Sequence, residues 1–311
     1  MKFQDKIKWR LDLYIGLLKQ RKEIKNLYNL IDEAAKNDFW GILKFILIRS
    51  LTPYFLTQKK GQNFNFYNPT RNHFIFEKYI FRSKRIEKNP EKAKLINKII
   101  KDCNSIVKEI LVDKVYENGE VKVGSEDIVL DCGANIGIFS IYAGQKAKIV
   151  YAFEPSEDEA ASLSENKKLN NCNNIKIIPK AVLDTRKEAK LILVRIAGHF
   201  LNIAYPTPTT KTILKNKDIK TVDVKTISID EFLKEENLEK VDFIKMDIEG
   251  SEEKALIGAK KTLKEFKPKL AITIYHKLSD FYKLPLLIKR LNPDYKIRIK
   301  NKKGTMMAYA I

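Results

Sequence analysis

The chain has 311 residues, 44% of them hydrophobic, and carries a formal net charge of +20 from 59 Lys and Arg against 39 Asp and Glu. That length allows a full α/β core with an appended module. Three scattered cysteines, at 103, 132 and 172, exclude a disulfide framework or a cysteine metal site, and the longest apolar stretch, Phe39 to Leu56, is too interrupted by Lys44, Arg49 and Pro53 to span a bilayer.

The charge is uneven. Residues 1–124 hold 26 Lys and Arg against 14 Asp and Glu, residues 125–276 hold 24 against 23, and residues 277–311 hold 9 against 2. A nearly neutral centre with basic flanks suits an anionic partner: a phosphate-linked glycan, a membrane surface or nucleic acid. Met1 to Arg10 is charged and no apolar segment of a signal peptide follows it. The expectation is a cytoplasmic protein, with the basic flanks able to rest on the inner membrane surface.

In chain order, Ile7, Leu11, Tyr14, Ile15 and Leu18 recur at helical steps, so residues 1–38 read as helix, and 39–57 as a second, more apolar helix ending near Pro53. Residues 61–82 are aromatic-rich and read as loop and short strands. Residues 90–112 form an amphipathic helix, and Asp113 to Val123 a hairpin turning at Asn118-Gly119. Residues 1–124 thus form a basic, mainly helical cap, and 125–311 a second domain.

That domain opens on Ile128-Val129-Leu130-Asp131-Cys132-Gly133-Ala134-Asn135-Ile136-Gly137: an apolar strand, a carboxylate, a glycine loop, then apolar residues at helical spacing. Gly133 and Gly137 are expected to let the backbone approach a ligand. Neither G-x-G-x-x-G nor a P-loop G-K-[ST] is present, so no phosphate clamp is written here. Glu154, 21 positions after Gly133 in Phe153-Glu154-Pro155, ends the next strand, where a carboxylate can receive ribose hydroxyls. A nucleoside with an amino-acid tail, S-adenosylmethionine (SAM), fits that pair of features.

Ser156 and Glu159 read as a capping box for a helix to Asn170. A third strand, Ile175 to Pro179, brings Lys180-Ala181-Val182 to the adenine edge. Leu191 to Val194 and Thr221 to Ser228 are expected to pair as antiparallel strands around an irregular insertion, Arg195 to Lys220, placed for substrate contact. Phe243 to Met246 is the fourth core strand, ending at Asp247. Leu270 to Tyr275 is the fifth, followed at once by His276. A helix at Phe281 to Leu291 and a hairpin of Tyr295 to Lys300 and Thr305 to Ile311 complete the domain.

The stretches Asp131-x-Gly133-Ala134-Asn135-x-Gly137, Phe153-Glu154-Pro155, Ile229-Asp230 and Lys245-Met246-Asp247-Ile248-Glu249-Gly250-Ser251-Glu252 together resemble the FkbM family of SAM-dependent methyltransferases, over about residues 125–276. The resemblance implies a Rossmann-like class I methyltransferase fold, with a seven-stranded, mostly parallel sheet ending in an antiparallel hairpin. It implies SAM held by Asp131, Gly133, Ala134, Asn135, Gly137, Glu154, Pro155, Ala181 and Asp247. It also implies O-methylation of a sugar, glycan or natural-product hydroxyl.

A hydroxyl acceptor needs positioning and a group to take its proton. His276 is expected as a neutral general base, with Asp247 orienting it or the acceptor. Lys245 is expected to point to the opposite face from Asp247 and is left out of the site. A divalent metal on Asp247, Glu249 and His276 is the less favoured alternative. Rival functions are ribose 2′-O-methylation of RNA and a non-catalytic SAM- or glycan-binding module. Amino-group methylation of bases is disfavoured, because Asp247-Ile248-Glu249-Gly250 stands where [DN]-P-P-[YF] would.

Overall fold

A computed structural model of the chain describes residues 106–196, 199–203, 219–277, 279–302 and 305–311, and the backbone of 67–68, 73–76 and 79–81. The helices expected at 1–38, at 39–57 and over 90–105 lie outside these residues. In the aromatic-rich region β1 (Tyr67–Asn68), β2 (His73–Phe76) and β3 (Tyr79–Phe81) form a small antiparallel sheet.

From residue 106 a helical turn leads into a π-helical turn, Lys108–Val112. Asn118 and Val121 then bridge across a tight turn with Gly119 at φ 59°. The main elements follow: β4 (Ile128–Cys132), α1 (Ile138–Gly144), β5 (Ile149–Phe153), α2 (Glu157–Leu169) and β6 (Ile175–Ile178). Next come β7 (Ala181–Val182), β8 (Glu188–Ile196), β9 (His199–Ile203), β10 (Ile219–Ile227) and α3 (Ile229–Glu235). The last are β11 (Phe243–Met246), α4 (Glu252–Ile257), α5 (Lys260–Glu265), β12 (Lys269–Thr273), α6 (Asp280–Leu291), β13 (Ile297–Lys302) and β14 (Thr305–Ala310).

The seven-stranded sheet runs β13-β14-β12-β11-β4-β5-β6. Its five central and edge strands from β12 to β6 are parallel, and β14 and β13 close it antiparallel. These parallel strands are short apolar runs because both faces are covered. Alternation divides them: Val129, Phe243 and Ala271 join α1 and Leu163 of α2 on one face, while Leu130, Ile244 and Leu270 join α3 to α6 on the other. Chain order reverses between β4 and β11, so a crevice forms beyond their carboxyl ends.

Residues 106–123 belong to the first face. Val107, Ile110, Leu111, Val115 and Tyr116 are buried in the same cluster as Val129 and Phe139, and Tyr309 donates a hydrogen bond to the carbonyl of Val115. This segment brings a side chain to the crevice.

A second sheet, β7-β10-β8-β9, carries the expected antiparallel β8–β10 pair. The insertion expected to be irregular instead begins with β9, which pairs antiparallel with β8, because an apolar run there can extend an exposed edge. The reciprocal capping box falls at Ser228 and Glu231, not at Ser156. The Ser156 hydroxyl donates to the Glu159 carboxylate, leaving it no cap bond to backbone. Among the described residues no helix is long and apolar enough to cross a membrane.

Candidate active site

The loop after β4 closes on itself. The N–H groups of Gly133 and Ala134 both donate to the carbonyl of Phe153, at 3.1 and 2.9 Å. That of Asn135 donates to Glu154 Oε2 at 2.9 Å, that of Ile136 to Asn135 Oδ1 at 2.7 Å, and that of Gly137 to the carbonyl of Ala134 at 2.9 Å. Five consecutive donors are taken, so the loop itself offers no N–H to cradle a phosphate.

The two glycines are also required by packing, beside the ligand approach expected of them. Gly133 has φ 82°, and a Cβ there would sit 2.1 Å from the carbonyl oxygen of Asp247. Gly137 has φ 88°, and a Cβ would sit 2.0 Å from Leu163 Cδ1. Asn135, also left-handed at φ 52°, stands exposed at the loop tip.

Asp131 lies beneath the loop, fully buried. Its carboxylate pairs with Lys245 Nζ at 2.9 Å and accepts from Ser140 Oγ at 2.6 Å. Lys245 also donates to the carbonyl of Gly133 at 2.7 Å. Burial works against the Lys245 charge, but Asp131 and Asp247 raise its pKa above the ordinary lysine value. Lys245 and Asp247 share a face, contrary to the expectation that they point apart, because side chains alternate with period two and residues i and i+2 lie on one side. Tyr116 touches both: Lys245 Nζ lies 5.1 Å from its ring centroid, and its hydroxyl donates to Asp247 Oδ2 at 2.6 Å.

Glu154 stands at the end of β5, 4% exposed, with Oε2 on the Asn135 N–H and Oε1 on that of Ser156. Burial, then the neighbouring Glu159, pushes its carboxyl up to about 7. Pro155 follows it, half-buried. Ala181 departs from the group: its side chain packs with Leu191 and Val224 in the core of the second sheet.

Across the crevice Asp247 Oδ1 lies 3.4 Å from His276 Nε2. The same nitrogen is 3.6 Å from Glu249 Oε2, and Nδ1 is 3.0 Å from Glu252 Oε1. Thr273 Oγ1 sits 3.4 Å from Asp247 Oδ1 and 3.3 Å from Glu252 Oε1. Burial disfavours the imidazolium, yet Glu252, Glu249 and Asp247 hold its pKa up at about 10. With the site free of any cation, these carboxylates favour the protonated ring, which weighs against the expectation of a neutral general base at His276. Burial raises the Glu249 carboxyl, although its side chain keeps 38% of its surface exposed and solvent tempers the effect. Asp247 is 22% exposed and faces the opening.

Sequence reading brought Asp131, Gly133, Asn135, Glu154, Asp247 and His276 to one sheet edge, and there they stand. It missed Tyr116, Thr273 and the orienting role of Glu252. Tyr116 lies 131 positions from its partner and carries no local signal. Glu252 could have been found from its position at the first turn of a helix that opens just after a strand-end acid.

The sheet order, the closed glycine loop after its first parallel strand and the acid ending the second define the class I methyltransferase fold. The chain belongs to the FkbM methyltransferase family, whose model, described as the methyltransferase FkbM domain, matches residues 131–295. It is 25% identical over 167 residues, 49% of this chain and 66% of the relative, to "Methyltransferase 1" of Beauveria bassiana. It is 32% identical over 75 residues, 24% of this chain and 16% of the relative, to an uncharacterized RNA methyltransferase, TTE1812, of Caldanaerobacter subterraneus. Its fold is similar to the crystal structure of the methyltransferase FkbM from Methylobacillus flagellatus KT, with a TM-score of 0.55 at 18% identity, covering 96% of this chain and 60% of that one. The chain spans less than two thirds of the length of each of these relatives.

Proposed function

We propose that the chain is a SAM-dependent O-methyltransferase whose acceptor is a hydroxyl on a sugar, glycan or natural product. The observation that carries this reading is the Asp247 carboxylate, partly open at the switch point, fixed by Tyr116 at 2.6 Å and facing the same crevice as the Gly133 loop.

The donor set suits SAM. All loop N–H groups are internally satisfied, which disfavours a phosphate ligand, while Glu154 and Asn135 offer a carboxylate and an amide at the rim for a neutral ribose. When bound, SAM supplies an activated methyl group on a sulfonium. Glu154 then accepts ribose hydroxyls, and Asp131 with Lys245 holds the loop from below. Asp247 accepts the O–H of the acceptor and aligns its oxygen, which is most of what methyl transfer requires. As the oxygen gains the methyl, its proton passes to the Asp247–Glu249 carboxylates. With no cation bound, the His276 imidazolium offsets the repulsion between these two partly exposed carboxylates.

The basic flanks favour an anionic acceptor, such as an acidic glycan, and suit rest at a membrane surface. The test is label transfer from methyl-labelled SAM to acidic glycans, small hydroxylated natural products and RNA in parallel. Alkali-stable label on a glycan or natural product, with S-adenosylhomocysteine formed in equal amount, supports the reading. Label confined to RNA ribose, or no transfer despite SAM binding, contradicts it.

A further inference from the structure

We propose that His276 Nε2, Asp247 and Glu249 bind one divalent cation at the mouth of the crevice, with Glu252 holding the imidazole from behind. Nε2 lies 3.4 Å from Asp247 Oδ1 and 3.6 Å from Glu249 Oε2. Ligand atoms at right angles around a small divalent ion stand about 3 Å apart, so a shift of a few tenths of an ångström closes the shell. Asp247, Glu252 and His276 bring one ligand atom each to within 4.8 Å of one another.

A second observation is independent of the acid cluster. The His276 side chain is only 6% exposed, yet its Nε2 makes no hydrogen bond. Glu252 Oε2, in a side chain 1% exposed, has none either. Buried polar atoms left so are uncommon and mark a missing partner.

The arrangement also has the order that metal sites use. Glu252 Oε1 sits 3.0 Å from Nδ1, where a carboxylate fixes the tautomer and turns the other nitrogen to the ion. Glu252 is itself anchored by the N–H of Ile248 at 2.9 Å. Glu249 reaches the cluster through a left-handed backbone, φ 54°, followed by Gly250 at φ 93°, a conformation a non-glycine residue adopts only under constraint.

Charge points the same way. Three carboxylates surround one imidazole, and among the described residues the nearby Lys245 is committed to Asp131 and Lys277 Nζ to the carbonyl of Gly250. The exposed sides of Asp247 and Glu249, 22% and 38%, leave coordination positions open to water and to an acceptor oxygen. Two carboxylates and one imidazole suit Mn²⁺ or Mg²⁺. The site deepens the O-methylation reading and rests on it for its role: the cation would displace the Nε2 proton and hold and acidify the acceptor hydroxyl, Asp247 and Glu249 would serve as ligands in place of proton acceptors, and the hydroxyl proton would leave to water on their exposed side.

The experiment is equilibrium dialysis of the chelator-treated full chain against Mn²⁺, with Mg²⁺ as competitor. One Mn²⁺ per chain is expected. Affinity should fall at least about tenfold in Glu249→Gln and His276→Gln, and by about 10–100-fold in Glu252→Gln. Asp223→Asn, on an exposed ion pair with Lys190, should bind as the wild type does. No saturable binding by a wild type that keeps its circular dichroism overturns the site. So does unchanged affinity in Glu249→Gln, which remains decisive if His276→Gln fails to fold. Methyl transfer that survives chelation in a chain that binds no Mn²⁺ removes the cation and leaves O-methylation standing. Mn²⁺ bound as described in a chain that methylates only RNA keeps the cation and removes that reading.

Discussion

Tyr116 donates a 2.6 Å hydrogen bond to Asp247 across 131 positions of sequence, tying the segment before the first core strand to the end of the fourth. The Phe139 ring packs edge-on against it at 5.2 Å, and the Lys245 ammonium lies over its face. Burial, and then the Asp247 charge, pushes the phenol well above its ordinary pKa, so it acts as a donor throughout the physiological range. In Tyr116→Phe, Asp247 loses its orientation but not its packing. Turnover should drop about 3- to 10-fold, matching about 1 kcal/mol for one hydrogen bond, with SAM affinity unchanged. A variant with wild-type turnover would deprive Tyr116 of its positioning role.

The buried Lys245–Asp131 pair holds the glycine loop to the sheet. Removing one partner leaves the other charged and unpaired, so Lys245→Ala should cost about 3–5 kcal/mol in urea unfolding, while replacing both residues by apolar ones of similar volume should cost much less. A loss under about 1 kcal/mol for the single variant would mean that the pair is not closed in solution.

Glu154 links SAM binding to pH. Its carboxyl is pushed up to about 7, so at pH 6 the free protein mostly holds the proton. A ribose hydroxyl donates better to the carboxylate, so SAM affinity should rise between pH 6 and 8, and the rise should vanish in Glu154→Gln. Glu154→Ala should lose about 1.5–3 kcal/mol of SAM binding, read by calorimetry. The stability effect has the opposite sign. The folded pKa lies above the unfolded value near 4.5, so folding gains from this group below that value and loses the gain as pH climbs through 7. A pH-independent SAM affinity would detach Glu154 from the ribose.

The flanks give a salt prediction. If the 26 Lys and Arg before residue 125 and the 9 after residue 276 engage an anionic acceptor, its KM should rise several-fold between 50 and about 300 mM salt while SAM affinity barely changes. Equal salt dependence for both ligands would assign that charge to solubility alone.

The parts of this molecule that can be read from sequence are those fixed by local pattern. The runs at Ile128–Cys132, Ile149–Phe153 and Phe243–Met246 are apolar because both faces of a parallel strand are covered, and their carboxyl ends carry Asp131, Glu154 and Asp247 to one edge. The C-terminal hairpin is legible for the same reason. What escapes is contact between distant segments. Nothing near Tyr116 predicts its partner, and no spacing reveals that Gly133 is needed because Asp247 lies against it. The electrostatic setting of His276 also escapes, since it depends on three carboxylates gathered from a turn, a helix and a strand end. Lys245 is different: period-two alternation already puts it beside Asp247.

The most direct measurement is the crystal structure of the chain with S-adenosylhomocysteine. The account predicts the ribose hydroxyls on the Glu154 carboxylate, the nucleoside against the Gly133–Gly137 loop, and the sulfur facing the opening between Asp247 and His276. A nucleoside bound away from Glu154, or a sulfur turned from Asp247 with no path to it, would contradict the account.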